Sequence, residues 1–403
     1  MTDVLHPTRR QVFTLASAGV ASLALPGWAL AQSSEPIRIA ALLPLTGGGG
    51  AYGPSMQRAA ELVVNEVNAA GGVLGRKVQL LTEDDQTNPD AAVRGARKLI
   101  DADKVCAIVG TWASSVTTAV APLCWENKVF LATVSGGENI TNMPHQGYII
   151  RTQPTSALLG KVFANFIAEK GGKKAYFMGP QTPLSQSYGE HIEQQMKTLG
   201  GVSQTLLYED KKSTYRTEVS QVIRANPDFI VLGGYVPDTS VVVKEIYRAG
   251  YKGKIVGMAF GVNQKLIEAV PPETLENVYM IGSSPAVGSD TYKRLANLMK
   301  SESLDPYTCQ VYDHVNLVLM AIAKAKQASG TAIKDAVRSA ARNKGGRSID
   351  NAVDGIKAIA ANQPIIYSGA SGSCEFTDKG DVVNTFFRYE QIRGGKVTLV
   401  KVA

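Results

Sequence analysis

The glycine spacing between Gly48 and Gly53 could indicate nucleotide binding, because Gly48-x-Gly50-x-x-Gly53 matches the dinucleotide-binding fingerprint. In that fingerprint, glycines let the backbone approach a pyrophosphate at a helix N-terminus. Two features depart from it. Pro44-Leu45-Thr46 separates the preceding strand from the glycines, and the next predicted strand ends at Glu83-Asp84-Asp85, about 30 residues beyond them instead of about 20. An exported nicotinamide-dependent oxidoreductase is therefore kept only as an alternative from another functional class.

The segment Trp112-Ala113-Ser114-Ser115-Val116-Thr117 offers a different chemistry, the recognition of a carboxylate. It directly follows an apolar strand, at the carboxyl end where open α/β sheets bind ligands. Ser114 or Ser115 is predicted to cap the following helix, whose free amides together with the hydroxyls would hold an anion. A plain N-cap explains the serines equally well.

Signatures of catalysis and metal binding are otherwise missing from the sequence. It contains no Walker A loop, no HExxH motif and no GxSxG elbow. His145, His191 and His314 lie far in sequence from any Cys or acidic cluster, and we expect surface or capping roles for them. Glu83-Asp84-Asp85 is predicted to be a solvated turn rather than a cation site, because three neighbouring side chains at a strand end cannot all face one point. We therefore predict a protein that is not an enzyme and holds no cofactor or metal.

The first 31 residues carry the features of an export signal. A twin-arginine pair, Arg9-Arg10, precedes an apolar stretch from Thr14 to Leu25, and Ala29-Leu30-Ala31 fits the small-x-small rule for signal peptidase. The stretch is too short to span a bilayer stably, and no Cys follows it to carry a lipid anchor. We predict cleavage after Ala31 and a mature chain free in the periplasm.

The composition indicates a soluble globular protein, with 44% hydrophobic and 19% charged residues and a formal net charge of +7. The positive charges are scattered as singles and pairs without interleaved aromatics, which argues against nucleic-acid binding. About 370 mature residues exceed one ordinary core, so two domains are expected.

Four cysteines in an oxidising compartment favour disulfides. Cys106 begins a predicted strand and Cys124 lies near the end of the following helix, so the two could meet in a βα unit. Cys309 and Cys374 would then form the remaining pair. Four buried free thiols are the alternative.

Strand and helix patterns alternate along the chain. Ile37–Leu43 is a continuous apolar run, as expected of a buried parallel strand, and a helix of 3.6-residue period follows the glycine loop. Asn88-Pro89 is predicted to be the N-cap and first-turn proline of a further helix. A second such series starts after Arg151–Pro154, with a strand at Phe229–Leu232 and helices at Arg216–Arg224 and Gln264–Ala269 among its elements. Two successive βα series predict an α/β protein with two doubly wound parallel-sheet lobes. The remainder from Ser283 holds a long amphipathic helix, predicted over Val311–Ala328, and a helix near Ala332–Ala341. It ends in a hairpin whose turn is Arg393-Gly394-Gly395-Lys396.

Five segments carry a resemblance to a known family. They read ALLPLTGGGGAYG, NEVNAAGGVLGRKVQLLTEDDQTNPDAAVRGARKLI, VGTWASSVTTAVAPLCWENKVF, DFIVLGGYVPDTSVVVKEIYRAG and FTDKGDV. In order and spacing they resemble the Leu/Ile/Val-binding family of periplasmic ABC-transporter substrate-binding proteins, over almost the whole mature chain. The resemblance implies the type I periplasmic binding protein fold, in which two lobes joined by three hinge crossovers close on a small ligand. It also implies delivery to an ABC permease and its ATPase subunits in the inner membrane.

The same resemblance implies a ligand-binding role for nine residues. They are Tyr52, Trp112, Ala113, Ser114, Ser135, Gly136, Tyr188, Tyr235 and Phe260. Tyr52 matches the aromatic over the ligand, Ser114 the hydroxyl that binds its carboxylate, and Ser135-Gly136 a second carboxylate loop. Tyr188 and Tyr235 match the aromatics of the second lobe.

Two positions depart from the pattern of amino-acid binders. Gly136 stands where they usually carry a threonine hydroxyl, and Phe260 stands where they place the acid that pairs with the ligand ammonium. We therefore predict a small carboxylate-bearing ligand with an aromatic body, bound by a monomer. A branched-chain amino acid is the alternative within the same class.

The predicted lobes are discontinuous in sequence. Lobe 1 combines residues 36–154 and 283–383, and lobe 2 combines residues 155–282 and 384–403. This division follows from two βα series plus a C-terminal remainder too short to form a third domain. The hinge strands are expected near Arg151–Pro154, Ile281–Ser284 and Asn384–Phe387.

Overall fold

The computed structural model describes residues 35–342 and 345–403. The predicted export signal, residues 1–31, lies outside the described residues. All elements below belong to Pro36–Ala403. None of the helices within the described ranges combines the length and hydropathy that crossing a bilayer requires.

A five-stranded, fully parallel sheet forms from the N-terminal part of the chain, in the order β2-β1-β3-β4-β5. Its strands are β1 (Ile37–Leu43), β2 (Val78–Asp84), β3 (Ala107–Gly110), β4 (Phe130–Thr133) and β5 (Ile149–Arg151). The connecting helices are α1 (Gly53–Ala69), α2 (Pro89–Arg97), α3 (Ser114–Glu126) and α4 (Glu138–Thr141), with a 3₁₀ turn at Gly47–Gly49 and a π-helical turn at Lys98–Ala102. Strands β3, β4 and β5 are buried throughout, because helices cover both faces of the sheet.

A seven-stranded sheet forms from the middle of the chain and its C-terminus, in the order β14-β13-β10-β9-β8-β6-β7. Its strands are β6 (Lys174–Pro180), β7 (Val202–Tyr208), β8 (Phe229–Leu232), β9 (Lys254–Met258), β10 (Tyr279–Ser284), β13 (Phe386–Arg393) and β14 (Lys396–Val402). The helices are α5 (Ser156–Glu169), α6 (Pro183–Thr198), α7 (Arg216–Arg224), α8 (Val236–Arg248) and α9 (Gln264–Ala269), with a 3₁₀ turn at Pro272–Thr274. Only β13 and β14 run antiparallel to their neighbours in this sheet.

The remaining elements follow β10 and precede β13. They are α10 (Asp290–Met299), α11 (Pro306–Ala325), α12 (Gly330–Ala341), β11 (Arg347–Ile349), α13 (Ala352–Ala360) and β12 (Ile365–Tyr367). Helix α11 is buried from Tyr307 to Ala323 and packs on α1 and β3, so this part of the chain completes the layer over the five-stranded sheet.

The two sheets share one strand order, which fixes where a ligand can bind. In the first sheet the order reverses between β1 and β3, and in the second it reverses between β6 and β8. The loops after these four strands therefore leave crevices at the carboxyl ends, the place where doubly wound sheets bind ligands. The predicted α/β class with two doubly wound parallel sheets is confirmed.

Three passages of the chain join the sheets. The first leaves β5 at Arg151 for α5, and the second leaves β10 at Ser284. The third returns through Asp381 to β13, where Asp381 bridges to Arg151. The guanidinium of Arg151, which is 1% exposed, donates from Nε to the Asp381 carboxylate at 2.9 Å. A buried ion pair thus ties the first passage to the third.

The predicted elements differ from the observed ones mainly at their ends. Helices α7 and α9, strand β8 and the two-residue hairpin turn at Gly394-Gly395 are confirmed. The last long helix was expected from Val311 but begins at Pro306, because the Asp305 side chain caps it by accepting the Thr308 N–H at 3.0 Å. Strands β4 and β5 and helix α5 carry no strong sequence pattern and were not predicted.

The predicted disulfides are wrong, because all four cysteines are free thiols. The Cys106 thiol donates to the Arg38 carbonyl at 3.4 Å, and the Cys124 side chain is fully buried in the hydrophobic core. Cys374 Sγ lies 3.7 Å from the buried Asp313 carboxylate. Burial raises the pKa of the Cys106 and Cys124 thiols to about 12, so both stay protonated.

Candidate functional site

The predicted site residues come mainly from the loops at the two sheet reversals. In the first sheet, Tyr52 ends the glycine loop after β1, and Trp112 and Ser114 follow β3. In the second sheet, Tyr188 lies on α6 after β6, and Tyr235 caps α8 after β8. The common strand order thus brings four loops to one place.

The glycine loop is held by the end of β2. Asp84 accepts the Thr46 hydroxyl at 2.6 Å and the Thr46 N–H at 3.2 Å, and the Thr87 hydroxyl accepts the Gly49 N–H at 2.9 Å. The prediction of a solvated turn at Glu83-Asp84-Asp85 is therefore wrong: Glu83 and Asp84 belong to β2, and Asp85 is fully buried.

Glycines in this loop allow close approach rather than phosphate binding. A Cβ atom on Gly49 would lie 2.6 Å from the Trp112 ring, and one on Gly48 would lie 2.9 Å from the Tyr235 ring. Since real Cβ atoms do not come that close to ring carbons, glycine is required for these aromatic residues to pack against the loop.

Five aromatic rings from both sheets form what we call the aromatic cluster: Tyr52, Trp112, Tyr235, Phe260 and Tyr307. Trp112 lies at its centre, with ring centroids 5.5 Å from Tyr52, 5.2 Å from Tyr235, 6.3 Å from Phe260 and 5.6 Å from Tyr307. Most pairs are tilted or edge-to-face, the geometry that aromatic quadrupoles favour. The cluster gives the site large apolar faces.

Tyr52 bridges the two sheets. Its hydroxyl accepts the side-chain N–H of Asn263 at 2.8 Å and lies 3.3 Å from the Ala259 carbonyl, to which it can donate. Tyr52 precedes α1 of the first sheet, whereas Asn263 caps α9 of the second. The hydrogen bonds therefore hold the two sides of the cleft together.

Ser114 and the start of α3 form the polar end of the site. Ala113 is the N-cap and Ser114 the first helical residue, with no side-chain cap, so the predicted serine N-cap is wrong. Ser114 Oγ accepts the Gly137 N–H at 3.0 Å, which leaves its own proton free to donate. The Ser114 hydroxyl and the unpaired amides of the first helical turn can together bind an anion.

Ser135 does not present its hydroxyl to the site. Its Oγ lies 2.7 Å from the Thr111 carbonyl and 2.5 Å from the Thr117 hydroxyl, in a buried network with Thr133. The side chain instead fixes the loop that carries Gly136, which does line the site.

Two neighbouring spaces surround the aromatic cluster. A cavity of about 20 Å³, large enough for one water molecule, is lined by Trp112, Ser114, Gly136, Tyr188, Tyr235 and Phe260 among others. A groove of about 690 Å³ lies on the hinge side and reaches Tyr52 and Asn263. Gln153, Phe260 and Tyr307 line both spaces and separate them. Of the nine predicted residues, Ala113 and Ser135 line neither space.

Sequence reasoning missed Tyr307, Gln153 and Asn263. Tyr307 contacts Tyr52 and Trp112, and its hydroxyl accepts the Trp112 indole N–H. The dipeptide Asp305-Pro306 is an N-cap followed by a first-turn proline, and it would have placed Tyr307 in the first turn of a helix. The sequence around Gln153 offers no comparable indication.

Three carboxylates lie near the aromatic cluster, and each is already engaged. Asp238 Oδ1 accepts the Tyr215 hydroxyl and the Lys211 N–H, both at 2.9 Å. Asp305 accepts the Thr308 hydroxyl at 2.6 Å and lines the groove. Asp85 accepts only the Thr87 N–H, at 2.7 Å, and burial raises its pKa to about 7. At position 260 itself there is no acid.

His314 departs from the surface or capping role expected of the three histidines. His314 is fully buried on α11, where Nε2 pairs with the Thr152 hydroxyl at 2.8 Å, and burial lowers its pKa to about 3. His145 is also buried. Within the described ranges, no group of three or more His, Cys, Asp and Glu side chains is placed to hold a metal ion.

Comparison with known proteins gives a consistent result. The sequence profile of the periplasmic binding protein family matches residues 36–370. The leucine-, isoleucine-, valine-, threonine- and alanine-binding protein of Pseudomonas aeruginosa is 26% identical over 332 residues, which cover 79% of this chain and 87% of that protein.

Solved structures agree in fold. The leucine-binding protein LivK of Thermotoga maritima superposes with a TM-score of 0.78 at 22% identity, covering 91% of this chain and 98% of its own. A solute-binding protein of an ABC transporter from Rhodopseudomonas palustris, in complex with benzoate, superposes with a TM-score of 0.72 at 16% identity, covering 91% and 96%. At such identities the likeness is one of fold.

Proposed function

This chain belongs to the periplasmic binding protein family, whose members bind small molecules for ABC transporters, and we propose that its ligand is a small aromatic carboxylic acid. It is a substrate-binding protein rather than an enzyme, which sets aside the oxidoreductase alternative. The ligand carboxylate would meet Ser114 and the start of α3, and the ring would pack among the aromatic cluster.

Phe260 is the observation on which the ligand class rests. Its side chain is 8% exposed and packs 5.6 Å from the Tyr235 ring, so that side of the site is apolar. An α-ammonium buried there without a charged partner would cost several kcal/mol. An ammonium placed over a phenyl face would gain only about 0.5–2 kcal/mol from the cation–π interaction, which is less than this cost. A planar aromatic acid has no ammonium and avoids this cost.

The cleft must rearrange to admit such a ligand. The cavity of about 20 Å³ is far smaller than the ~300–1,000 Å³ of typical ligand sites. The groove of about 690 Å³ adjoins it, and only Gln153, Phe260 and Tyr307 line both. Rotation of Phe260 and Tyr307, or separation of the two sheets, would join the spaces into one site.

We assign the two sides of the cleft to two lobes, residues 36–154 with 283–383 and residues 155–282 with 384–403. Each set contains one of the two large sheets and its covering helices, and three passages of the chain join the two sets. Export by the twin-arginine signal, action as a monomer and delivery to a specific permease belong to the same proposal.

A branched-chain amino acid is the second candidate, because Asp305 lines the groove between Tyr52 and Tyr307. The Asp305 carboxylate would give an ammonium there a counter-ion. Burial raises the pKa of Asp305 despite its hydrogen bonds from Thr308 and Ser55, and this favours the neutral acid until an ammonium binds beside it. The relatives named for leucine binding support the same candidate. Against it stands the engagement of both Asp305 oxygens by Thr308.

Calorimetry on protein freed of co-purified ligand by unfolding and refolding tests the proposal. Benzoate and cinnamate are compared with leucine, isoleucine and valine. We expect tighter binding of the aromatic acids, and mass spectrometry of the ligand released from native protein should identify an aromatic acid. Tight leucine binding without any response to aromatic acids would favour the second candidate. In that case Asp305→Asn should abolish leucine binding.

A further inference from the structure

Gln153 lies at the junction of the site and the hinge. It belongs to the first passage between the sheets, is 6% exposed, and lines both the cavity and the groove. No sequence motif marks it, and none of the site's described contacts explains why a buried amide is placed there.

The orientation of the Gln153 amide is fixed by its neighbours. Its Oε1 accepts the Ser283 hydroxyl at 3.0 Å and the Gln310 side-chain N–H at 2.9 Å. Gln310 is itself oriented, because the same Nε2 also donates to the Thr152 carbonyl at 3.3 Å. In this arrangement the oxygen of Gln153 faces Gln310, whose own Oε1 is buried without a partner, and the NH₂ group of Gln153 is left over. Among the described residues this NH₂ group has no hydrogen-bond partner.

Gly136 makes room for this amide at the polar end of the site. A Cβ atom on Gly136 would lie 3.7 Å from Gln153 Cγ and 3.5 Å from the Tyr188 hydroxyl, so a larger residue would fill the space between them. The Tyr188 hydroxyl, on a side chain that is 2% exposed, likewise has no hydrogen-bond partner among the described residues. The Gln153 side chain and the Tyr188 hydroxyl thus both lie beside Gly136, whose neighbour Gly137 donates its N–H to Ser114 Oγ.

We propose that Gln153 binds the ligand directly, donating its side-chain N–H to the ligand carboxylate, with the Tyr188 hydroxyl as a second donor. Together they take the role of the threonine hydroxyl that Gly136 lacks. This inference rests on the proposed function, since it requires a carboxylate ligand, but it holds for an aromatic acid and an amino acid alike. A buried donor left unpaired is costly, and a bound carboxylate satisfies both groups.

Gln153→Glu is the sharpest test, because glutamate has nearly the same shape. Its carboxylate still accepts the hydrogen bonds of Ser283 and Gln310, so the fold is kept, but the free donor becomes an oxygen that repels a carboxylate. The probe is the acid that the wild type binds most tightly, benzoate on the proposed function. We expect its Kd to rise more than about 100-fold, because a charge-assisted hydrogen bond is replaced by repulsion between like charges. Gln204→Glu, the same change at an exposed position of β7, should leave Kd unchanged.

Gln153→Met removes the donor without adding charge. It also removes the oxygen that accepts from Ser283 and Gln310, so the melting temperature of ligand-free Gln153→Met is measured beside that of Gln153→Glu. We expect about 10- to 100-fold weaker binding of the acid. Tyr188→Phe should give a smaller loss, and the melting temperature of ligand-free Gln153→Glu should stay near that of the wild type. If Gln153→Glu binds the acid with a Kd within about threefold of wild type, the inference is wrong while the proposed function stands. If the wild type binds no carboxylate of the panel, both are wrong.

Discussion

At the scale of single residues, the proposed preference for an aromatic acid rests on Phe260. It occupies the second-sheet side of the aromatic cluster, 6.3 Å from Trp112, where a carboxylate would be needed to bind an ammonium group. Asp238 and Asp305 accept hydrogen bonds from other residues, whereas one oxygen of the buried Asp85 has no partner. On the proposed function, this single side chain would separate a site for aromatic acids from a site for amino acids.

Phe260→Glu should therefore reverse the preference for ligands. We expect benzoate affinity to fall by about 100-fold or more, which corresponds to ~3 kcal/mol, because glutamate repels the anion and removes an aromatic face. Leucine binding should appear or strengthen. Calorimetry measures both, and Phe386→Glu, at a residue 53% exposed on β13, is the matched control. Unchanged benzoate affinity would mean that Phe260 does not face the ligand.

Asp85 makes the stability of the protein depend on pH. Its pKa is raised from 3.8 to about 7, chiefly by burial and further by the charge of Asp84, against a lowering by the Thr87 N–H. The folded state therefore holds a proton on Asp85 that the unfolded state releases between pH 4 and 7. The stabilisation is complete below pH 4 and is lost as pH rises through about 7.

Asp85→Asn should remove this dependence. The wild type should lose up to ~4 kcal/mol of unfolding free energy from this residue between about pH 4 and pH 7. Urea unfolding at a series of pH values measures the slope. Asp290→Asn, at a side chain 98% exposed, should follow the wild type. An equal slope in wild type and Asp85→Asn would show that Asp85 keeps an ordinary pKa in the folded protein.

At the scale of elements, the glycine loop after β1 lets the two sheets approach each other. Hydrogen bonds of Thr46 and Gly49 fix the loop to the end of β2. Because Gly48 has no side chain, the Tyr235 ring from the other sheet can pack against the loop backbone. A side chain at position 48 would stand between the sheets without disturbing either sheet alone. The loop therefore affects closure more than folding.

Gly48→Ala tests this role. The alanine Cβ would lie 2.9 Å from the Tyr235 ring, and such overpacking typically destabilises the packed arrangement by about 1–3 kcal/mol. We expect ligand affinity to fall ~5- to 150-fold while the melting temperature of the ligand-free protein changes little. Gly288→Ala, where a Cβ would meet nothing within 4 Å, is the control. A large loss of melting temperature with unchanged affinity would place the role of Gly48 in folding instead.

At the scale of the whole molecule, the aromatic cluster exists only while the two sheets face each other closely. Tyr52 and Trp112 follow strands of one sheet, and Tyr235 and Phe260 follow strands of the other. A ligand that touches both groups stabilises the closed arrangement by its differential contacts, as in other hinge-bending proteins.

Saturating ligand should therefore compact the protein. Small-angle scattering is expected to show a smaller radius of gyration with the bound acid than without it, and no change with an amino acid that does not bind. Tyr52→Phe, which loses the hydrogen bond from Asn263, should require more ligand for the same compaction. A radius of gyration that is identical with and without bound ligand would contradict closure.

The sequence by itself determined the class of fold and most of the elements. Continuous apolar strands alternating with periodic helices specify parallel sheets covered on both faces, and these patterns are local in the chain. Asn88 caps α2 as predicted, accepting the Ala91 N–H at 3.0 Å, because capping depends on neighbouring residues alone. Local patterns of this kind also predicted that Tyr52, Trp112 and Ser114 follow the carboxyl ends of strands.

Only the tertiary structure decided how these residues are used. Ser135 turns its hydroxyl into a buried network, Asp85 loses contact with water, and the four cysteines remain apart as thiols. Tyr307, in the first turn of α11, and Gln153, in the first passage between the sheets, both line the site although they are far apart in sequence. The physical reason is that hydrogen-bond partners, burial and side-chain direction depend on residues far away in sequence, which no local pattern encodes.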